Sequence, residues 1–367
     1  MCHLTSVHDR YDIRIFEKEC KSLVNHGFDV SLIVNDDLGD EVVSGIKILS
    51  TNFKPKNRIQ RMLGSNKKMF EKALEVNADI YHFHDPELLP VGNKLKRLGK
   101  KVIFDSHENY PYQLRQKDYL PKIFRNLISK IYFKYETYSV KKYDAVIFPC
   151  TYSAKDPFEN RSKKTVFLDN FPMLEELYDC YTEEGNKLPN SVCYIGSLTI
   201  DRGITNIMEA AYLAKAKLIL GGVFTSSEYH QDLKKRNEYS CVDYLGFLNR
   251  DEVVNTYKQC RIGLSTLLNI GQYNKGDHFA TKVYEYMSMG LPVVLTDSPY
   301  VREVLKRYKF GIPVNPEDVN EISEAIVYLL NNPEVAKKMG ENGRLAIKEK
   351  FNWGVEEKKL IALYSSL

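Results

Sequence analysis

Short apolar runs alternate with longer amphipathic stretches through most of the chain. In the first half, residues 29–34, 79–83, 101–104 and 144–148 have the length and apolar content of buried strands. Between the start and the first of these, Ile13, Phe16, Cys20, Leu23 and Val24 recur at helical spacing, and Gly27 stands where a left-handed C-cap is wanted. The second half repeats the scheme, with strands expected at 191–195, 217–220, 241–245, 261–265 and 291–295. Helices are expected there at 204–215, 250–259, 281–289, 319–331 and 333–350. Strands alternating with helices imply parallel sheets covered on both faces. The polar, turn-rich segment 171–190 reads as a linker.

A chain of 367 residues is too long for one hydrophobic core, so the pattern resolves into two α/β domains. With 43% hydrophobic and 27% charged residues the chain is ordinary globular material, and no apolar run reaches membrane-spanning length. The first residues, Met1-Cys2-His3-Leu4-Thr5, do not look like a secretion signal. Seven scattered cysteines without a CxxC fit reduced thiols, and the expected location is the cytoplasm. The net charge of +4 falls entirely in residues 1–180, with 29 basic against 25 acidic side chains. Two windows concentrate it: 54–72 has seven basic residues against one acidic, and 93–142 has thirteen against four. A solvated surface and a face for anionic membrane or an anionic lipid carrier are both open readings. Nucleic acid is disfavoured, because no recognised nucleic-acid motif accompanies the charge.

Chemistry is narrowed by what is missing. No G-x-G and no G-x-x-x-x-G-K-[ST] occurs, which disfavours a nicotinamide dehydrogenase and a P-loop enzyme. No D-x-D occurs, so a carboxylate clamp for a metal-bound nucleotide sugar is not expected. Any bound phosphate must then be held by cations and helix N-termini. Thr281 and Lys282 open a helix after Asp277-His278-Phe279-Ala280, and Glu285 follows on the same face, where it can meet ribose hydroxyls. His84-Asp85 and His107-Glu108 end strands, but with no third spaced ligand no metal site is expected from them.

These blocks acquire a joint meaning. Asp277 through Glu285 to Gly290-Leu291-Pro292-Val293 resembles the signature of family 4 of the retaining glycosyltransferases, with Asp277 in place of the first of its two glutamates. Tyr194-Ile195-Gly196-Ser197-Leu198-Thr199-Ile200-Asp201-Arg202-Gly203 is similar to the family's phosphate loop, with Arg202 at its lysine and Ser197 at its arginine. Val242-Asp243-Tyr244-Leu245-Gly246-Phe247-Leu248 resembles the loop that holds the base. The segments Thr5 to Phe16, His82 to Pro90 and Phe104 to Pro111 look like the first-domain loops of a subgroup.

The resemblance implies the GT-B fold: two Rossmann-like domains whose parallel sheets face each other across a cleft. Residues 1–170 would form the acceptor-side domain, 191–350 the nucleotide-sugar domain, and 351–367 a helix returning to the first domain. It implies metal-independent transfer from a UDP- or GDP-sugar, with no cofactor, to a saccharide or lipid-linked acceptor in polysaccharide synthesis, at or near the inner membrane face. Catalytic positions would be His107, Asp277, Arg202 and Lys282. Donor-binding positions would be Gly196, Ser197, Gly203, Gly222, Phe247, Leu248, His278, Phe279, Ala280, Thr281 and Glu285. An epimerase or phosphorylase on the same scaffold, or an inactive nucleotide-sugar-binding subunit, are the rival readings, the last encouraged by Asp277 and Ser197.

Overall fold

The computed structural model describes residues 1–53, 56, 60, 64–115, 120–152, 155–181, 187–270 and 274–367. They form two compact units, Met1–Asn170 with Gly354–Leu367, and Phe171–Trp353.

The first unit holds strands β1 Cys2–Thr5, β2 Ser31–Val34, β3 Glu41–Val43, β4 Ile46–Ser50, β5 Ile80–Phe83, β6 Lys101–Asp105, β7 Ala145–Phe148 and β8 Thr165–Phe167. They pair in the order β3-β4-β2-β1-β5-β6-β7-β8, and every pairing is parallel except β3 with β4. Alternation sorts the side chains. Leu4, Tyr81 and Phe83 enter an apolar core with Met69 and Ala73 of α2 Asn66–Val76 and Leu95 of α3 Leu89–Arg97. His3, His82 and His84 take the opposite face, where buried polar groups gather.

That face is covered by a π-helix, Ile13–Cys20, which runs directly into α1 Lys21–Asn25. Asp12 caps it, its carboxylate accepting from the N–H groups of Arg14 and Ile15 at 2.9 Å. The expected single α-helix is therefore a π-helix for its first eight residues. A π-helix is rare and bonds i to i+5, which places Arg14 and Glu19 on the same side. Gly27 has a φ of 84°, and the Phe28 N–H reaches the Leu23 carbonyl, completing the expected left-handed terminus.

The second unit holds β9 Ser191–Ile195, β10 Lys217–Gly221, β11 Val242–Gly246, β12 Ile262–Ser265, β13 Val293–Thr296 and β14 Gly311–Val314. They form one parallel sheet in the order β11-β10-β9-β12-β13-β14. Apolar clusters lie on its two sides, one built around Tyr286, Met287 and Phe351, the other around Ile207, Leu264 and Ile326.

Two expected boundaries are corrected. Segment 171–190 is not a free linker: Phe171 and Leu177 are buried in the second unit's core, although residues 182–186 lie outside the described set. The return to the first unit begins at Gly354 rather than at 351, because Phe351 is core of the second unit and the Trp353 N–H bonds the Pro172 carbonyl at 2.9 Å. From there helix α13, Trp353–Ser365, joins the first unit. Glu356 accepts from the Asp169 N–H at 3.0 Å, and Tyr364 is buried beside His3 and His82.

Candidate active site

In the second unit the loops at the carboxyl ends of β9, β10 and β12 converge. Gly222 has a φ of 128°, and a Cβ there would lie 1.8 Å from the Gly196 carbonyl oxygen. Gly203, with φ 74°, would place a Cβ 2.3 Å from the Thr266 carbonyl oxygen. Both positions demand glycine for conformation and for space, so that three loops can touch through bare backbone.

Lys282 points into this place from α9 Thr281–Ser288. Its Nζ lies 4.5 Å from the centre of the Tyr194 ring, and a Cβ on Gly196 would sit 3.4 Å from it. The Tyr194 hydroxyl in turn donates to the Ser197 carbonyl at 3.2 Å. Burial, with the Arg202 cation nearby, lowers the Lys282 ammonium to about 7. Among the described residues it has no ion-pair partner. No side chain caps the start of α9. A buried cation beside an uncapped helix start is a place for an anion.

Glu285 is already engaged: it accepts from Arg250 at 2.8 Å and from the Tyr257 hydroxyl at 2.7 Å. The Phe279 ring belongs to the aromatic core, against Tyr284, Tyr300 and Phe310, and its backbone N–H donates to the Tyr284 hydroxyl at 3.1 Å. His278, next to Asp277, is lowered by burial. Leu248 packs over Gly221, whereas the Phe247 side chain is exposed.

The first unit gathers a different set at the carboxyl ends of β1, β5 and β6. Asp105 receives Arg14 through Nε at 2.9 Å and Nη2 at 3.0 Å, both groups buried. Burial, the largest single influence, would raise this carboxyl, but Arg14 together with His107 and His84 holds it well below the usual carboxylate range. Asp105 Oδ2 also lies 3.1 Å from His107 Nε2 and 3.2 Å from His84 Nδ1. His107 is thus oriented by a buried carboxylate and is partly exposed, its ring tilted against that of His8 at 5.0 Å. Asp85 serves the loop instead, accepting from the Thr5 hydroxyl and the Ser6 N–H. Next to the His107 loop is a hollow of about 250 Å³ lined by Glu108, Asn109, Tyr152, Lys155, Glu136 and Arg161.

Two family models match the chain, Glycosyltransferase Family 4 over residues 15–158 and Glycosyl transferases group 1 over residues 183–346. The chain belongs to the family-4-like GT-B glycosyltransferases. An uncharacterised glycosyltransferase of Methanocaldococcus jannaschii is 25% identical over 232 residues, covering 63% of this chain and 61% of that protein. The chain thus spans about three-fifths of that relative's length. Sucrose-phosphate synthase of Thermosynechococcus elongatus superposes with a TM-score of 0.78 at 16% identity, covering 100% of this chain and 98% of its own. Anabaena HepE, solved in complex with UDP and glucose, gives a TM-score of 0.69 at 14% identity over 100% and 99% of the two chains.

In this chain the second unit brings Gly196, Ser197, Gly203, Gly222, Arg202 and Lys282 into one loop cluster, with Ala280 and Thr281 at the adjoining start of α9. His107 stands in the other unit. Sequence reasoning missed Arg14, Asp105 and His8 as the groups that orient His107. It also missed His3, Glu19 and His82, which meet beneath them. One signal was available: Tyr81-His82-Phe83-His84 alternates, so both imidazoles fall on one face of β5.

Proposed function

We propose that this chain transfers a sugar from a UDP- or GDP-sugar to a saccharide or lipid-linked acceptor in polysaccharide synthesis, with retention at the anomeric carbon. The observation that carries this is the buried Lys282 at the start of α9, without an ion-pair partner among the described residues and facing the Gly196 loop near Arg202. In the departing nucleoside diphosphate, negative charge grows on the phosphate oxygens, and fixed cations stabilise it. Lys282, Arg202 and the N–H groups at the start of α9 fill that role. Asp277 would hold sugar hydroxyls, and His107, oriented by Asp105, would position the donor sugar. The acceptor oxygen bonds to the anomeric carbon as the carbon–phosphate oxygen bond breaks, and the acceptor proton passes to the diphosphate. No separate base is then required. The hollow beside Glu108 and Arg161 offers polar side chains for an acceptor.

A thermal-shift screen over UDP- and GDP-sugars, followed by transfer from the hit and NMR of the product's anomeric configuration, tests the reading. Free UDP or GDP with an α-linked product from an α-linked donor is expected. An epimerised donor, or no turnover by a chain that binds it, would favour the two rival readings. With no carboxylate clamp in the sequence, transfer is expected to persist during brief exposure to excess EDTA. Loss restored by Mg²⁺ or Mn²⁺ would place a metal at the diphosphate.

Lys282 makes the binding step pH-dependent. The free ammonium titrates at about 7, and an adjacent diphosphate raises that value. UDP affinity should therefore be flat below about 7 and weaken above it, by at most about tenfold per pH unit, until the bound-state value is passed. Calorimetry at pH 8 in buffers of different ionisation heat should show proton uptake. Binding without uptake would move the diphosphate away from Lys282.

Helix α5, Lys122–Val140, supports a membrane-docking role. Ile123 is 87% exposed, and Phe124, Leu127 and Ile131 are also open among Lys122, Arg125, Lys130 and Lys134. Much of the 54–72 window and residues 116–119 lie outside the described set. No described helix is long and apolar enough to cross a membrane. Flotation with phosphatidylglycerol vesicles is expected at low salt, declining as salt screens the cations. Absence of binding by an active preparation would leave α5 an ordinary surface.

A further inference from the structure

We infer that the first unit holds a buried zinc ion between His3, Glu19, His82 and His84. His3 comes from β1, His82 from the adjacent central strand β5 and His84 from just past its end, and Glu19 from the π-helix above them. His3 Nδ1 and His84 Nε2 are 3.0 Å apart. Glu19 Oε2 lies 3.9 Å from each of these nitrogens and 3.8 Å from His82 Nδ1. Zinc ligands at about 2.0–2.1 Å in a tetrahedron are roughly 3.3 Å from one another, so the observed spacings bracket that cage. Three imidazoles and one carboxylate are a donor set that suits this ion.

Two further features point to a cation rather than to a plain hydrogen-bonded core. Glu19 Oε2 is buried without a hydrogen-bond partner, while Oε1 meets the Arg14 guanidinium; His82 Nε2 is likewise unpartnered, and its Nδ1, 2.8 Å from the Tyr364 hydroxyl, would exchange that contact for the ion. Such atoms are costly to bury unless something unseen satisfies them. Asp105 and Glu19 also set two carboxylates against the single Arg14 guanidinium, which lies 3.1 Å from Glu19 Oε1. With a divalent cation bound, both carboxylates would have a counter-charge. The surroundings, in turn, orient the ligands. His84 directs Nε2 at the cage while its Nδ1 meets Asp105 at 3.2 Å, and His3 directs Nδ1 inward while its Nε2 meets the Tyr364 hydroxyl at 3.0 Å. Metal-binding histidines are typically held this way, with the second ring nitrogen donating to a carboxylate or another oxygen.

The ion would sit in the sheet rather than at the diphosphate, tying β1 and β5 to the π-helix. The inference does not depend on the transferase reading. It is tested on the full chain, purified without a polyhistidine tag, by elemental analysis and by Co²⁺ substitution. About one zinc per chain is expected, released only on unfolding or prolonged chelation, with Tm falling when it leaves and returning with Zn²⁺ alone. Co²⁺ in its place should give the intense visible bands of a tetrahedral site. Glu19→Gln and His82→Asn should lower bound metal at least tenfold under dialysis against limiting Zn²⁺. A wild-type chain that binds neither ion, with Tm indifferent to both, would overturn the inference and leave Glu19 as a neutral acid among the imidazoles. Folded variants that retain full metal would overturn it as well. The outcome is distinct from that of the EDTA test above, since bound zinc, Co²⁺ bands and Tm are read here rather than transfer.

Discussion

Replacing Lys282 by alanine is expected to lower kcat/KM by about 10²–10³, the usual cost of removing one preorganised charge from a transition state. The reason is where the ammonium sits. Lys282 is buried, has no carboxylate partner among the described residues, and faces the backbone of Gly196 across from the Tyr194 ring. Its desolvation has been met in advance, so the developing charge on a diphosphate meets a cation that need not reorganise. Lys282→Arg tests geometry against charge, because a guanidinium is larger and does not lose its proton near pH 7. Wild-type kinetics in Lys282→Ala, with a folded protein, would move the diphosphate elsewhere. The same variant should gain rather than lose stability, since it removes a cation that burial disfavours.

Arg14→Met should produce the largest structural effect. Its guanidinium bonds Asp105 twice and the Leu168 carbonyl at 3.1 Å, all within the first unit. Breaking one side of a buried pair leaves a carboxylate without its counter-charge, at a cost of about 3–5 kcal/mol. For a unit of this size that is roughly 6–20 °C in Tm. The double change Arg14→Met with Asp105→Leu should recover a large part of the loss, since no charge is then stranded. Urea unfolding of both variants measures this. A single variant within about 1 kcal/mol of wild type would show that water, not Arg14, satisfies Asp105.

Much of the fold was legible because strand-helix alternation is local. The central strands, β9, β10 and β12 among them, were found within a residue or two of their ends. β3, β4, β8 and β14 were missed, and three departures, β3, β14 and the π-helix, have physical explanations. β3 is three residues long and partly exposed, and it pairs antiparallel with β4 at the sheet edge, so it lacks the apolar run of a buried strand. β14 contains Pro313 and pairs only with β13 at the opposite edge of its sheet, where a proline can be tolerated. The π-helix has the same apolar periodicity as an α-helix over one or two turns. Only its pairing pattern reveals it, together with the burial of Arg14, Lys18 and Glu19.

The sequence by itself determined the family, the doubly wound α/β class and the residues of the phosphate loop. Each rests on neighbours in the chain: Gly196 to Gly203 is one turn, and Asp277 to Glu285 is one loop with its helix. Tertiary structure alone decided where the charges end up. His3, Glu19, His82, His84, Asp105 and Tyr364 come from five separated segments, so nothing in their spacing announces that they meet. They meet because the sheet sets β1 beside β5 at its centre, the π-helix lies across the face of that pair, and α13 returns to place Tyr364. Likewise the lowered Lys282 ammonium is a product of enclosure and of Arg202, which no local pattern encodes. Short-range order is written in periodicity and turn residues. Desolvation and charge pairing depend on distances through space, which only the packed sheets and helices fix.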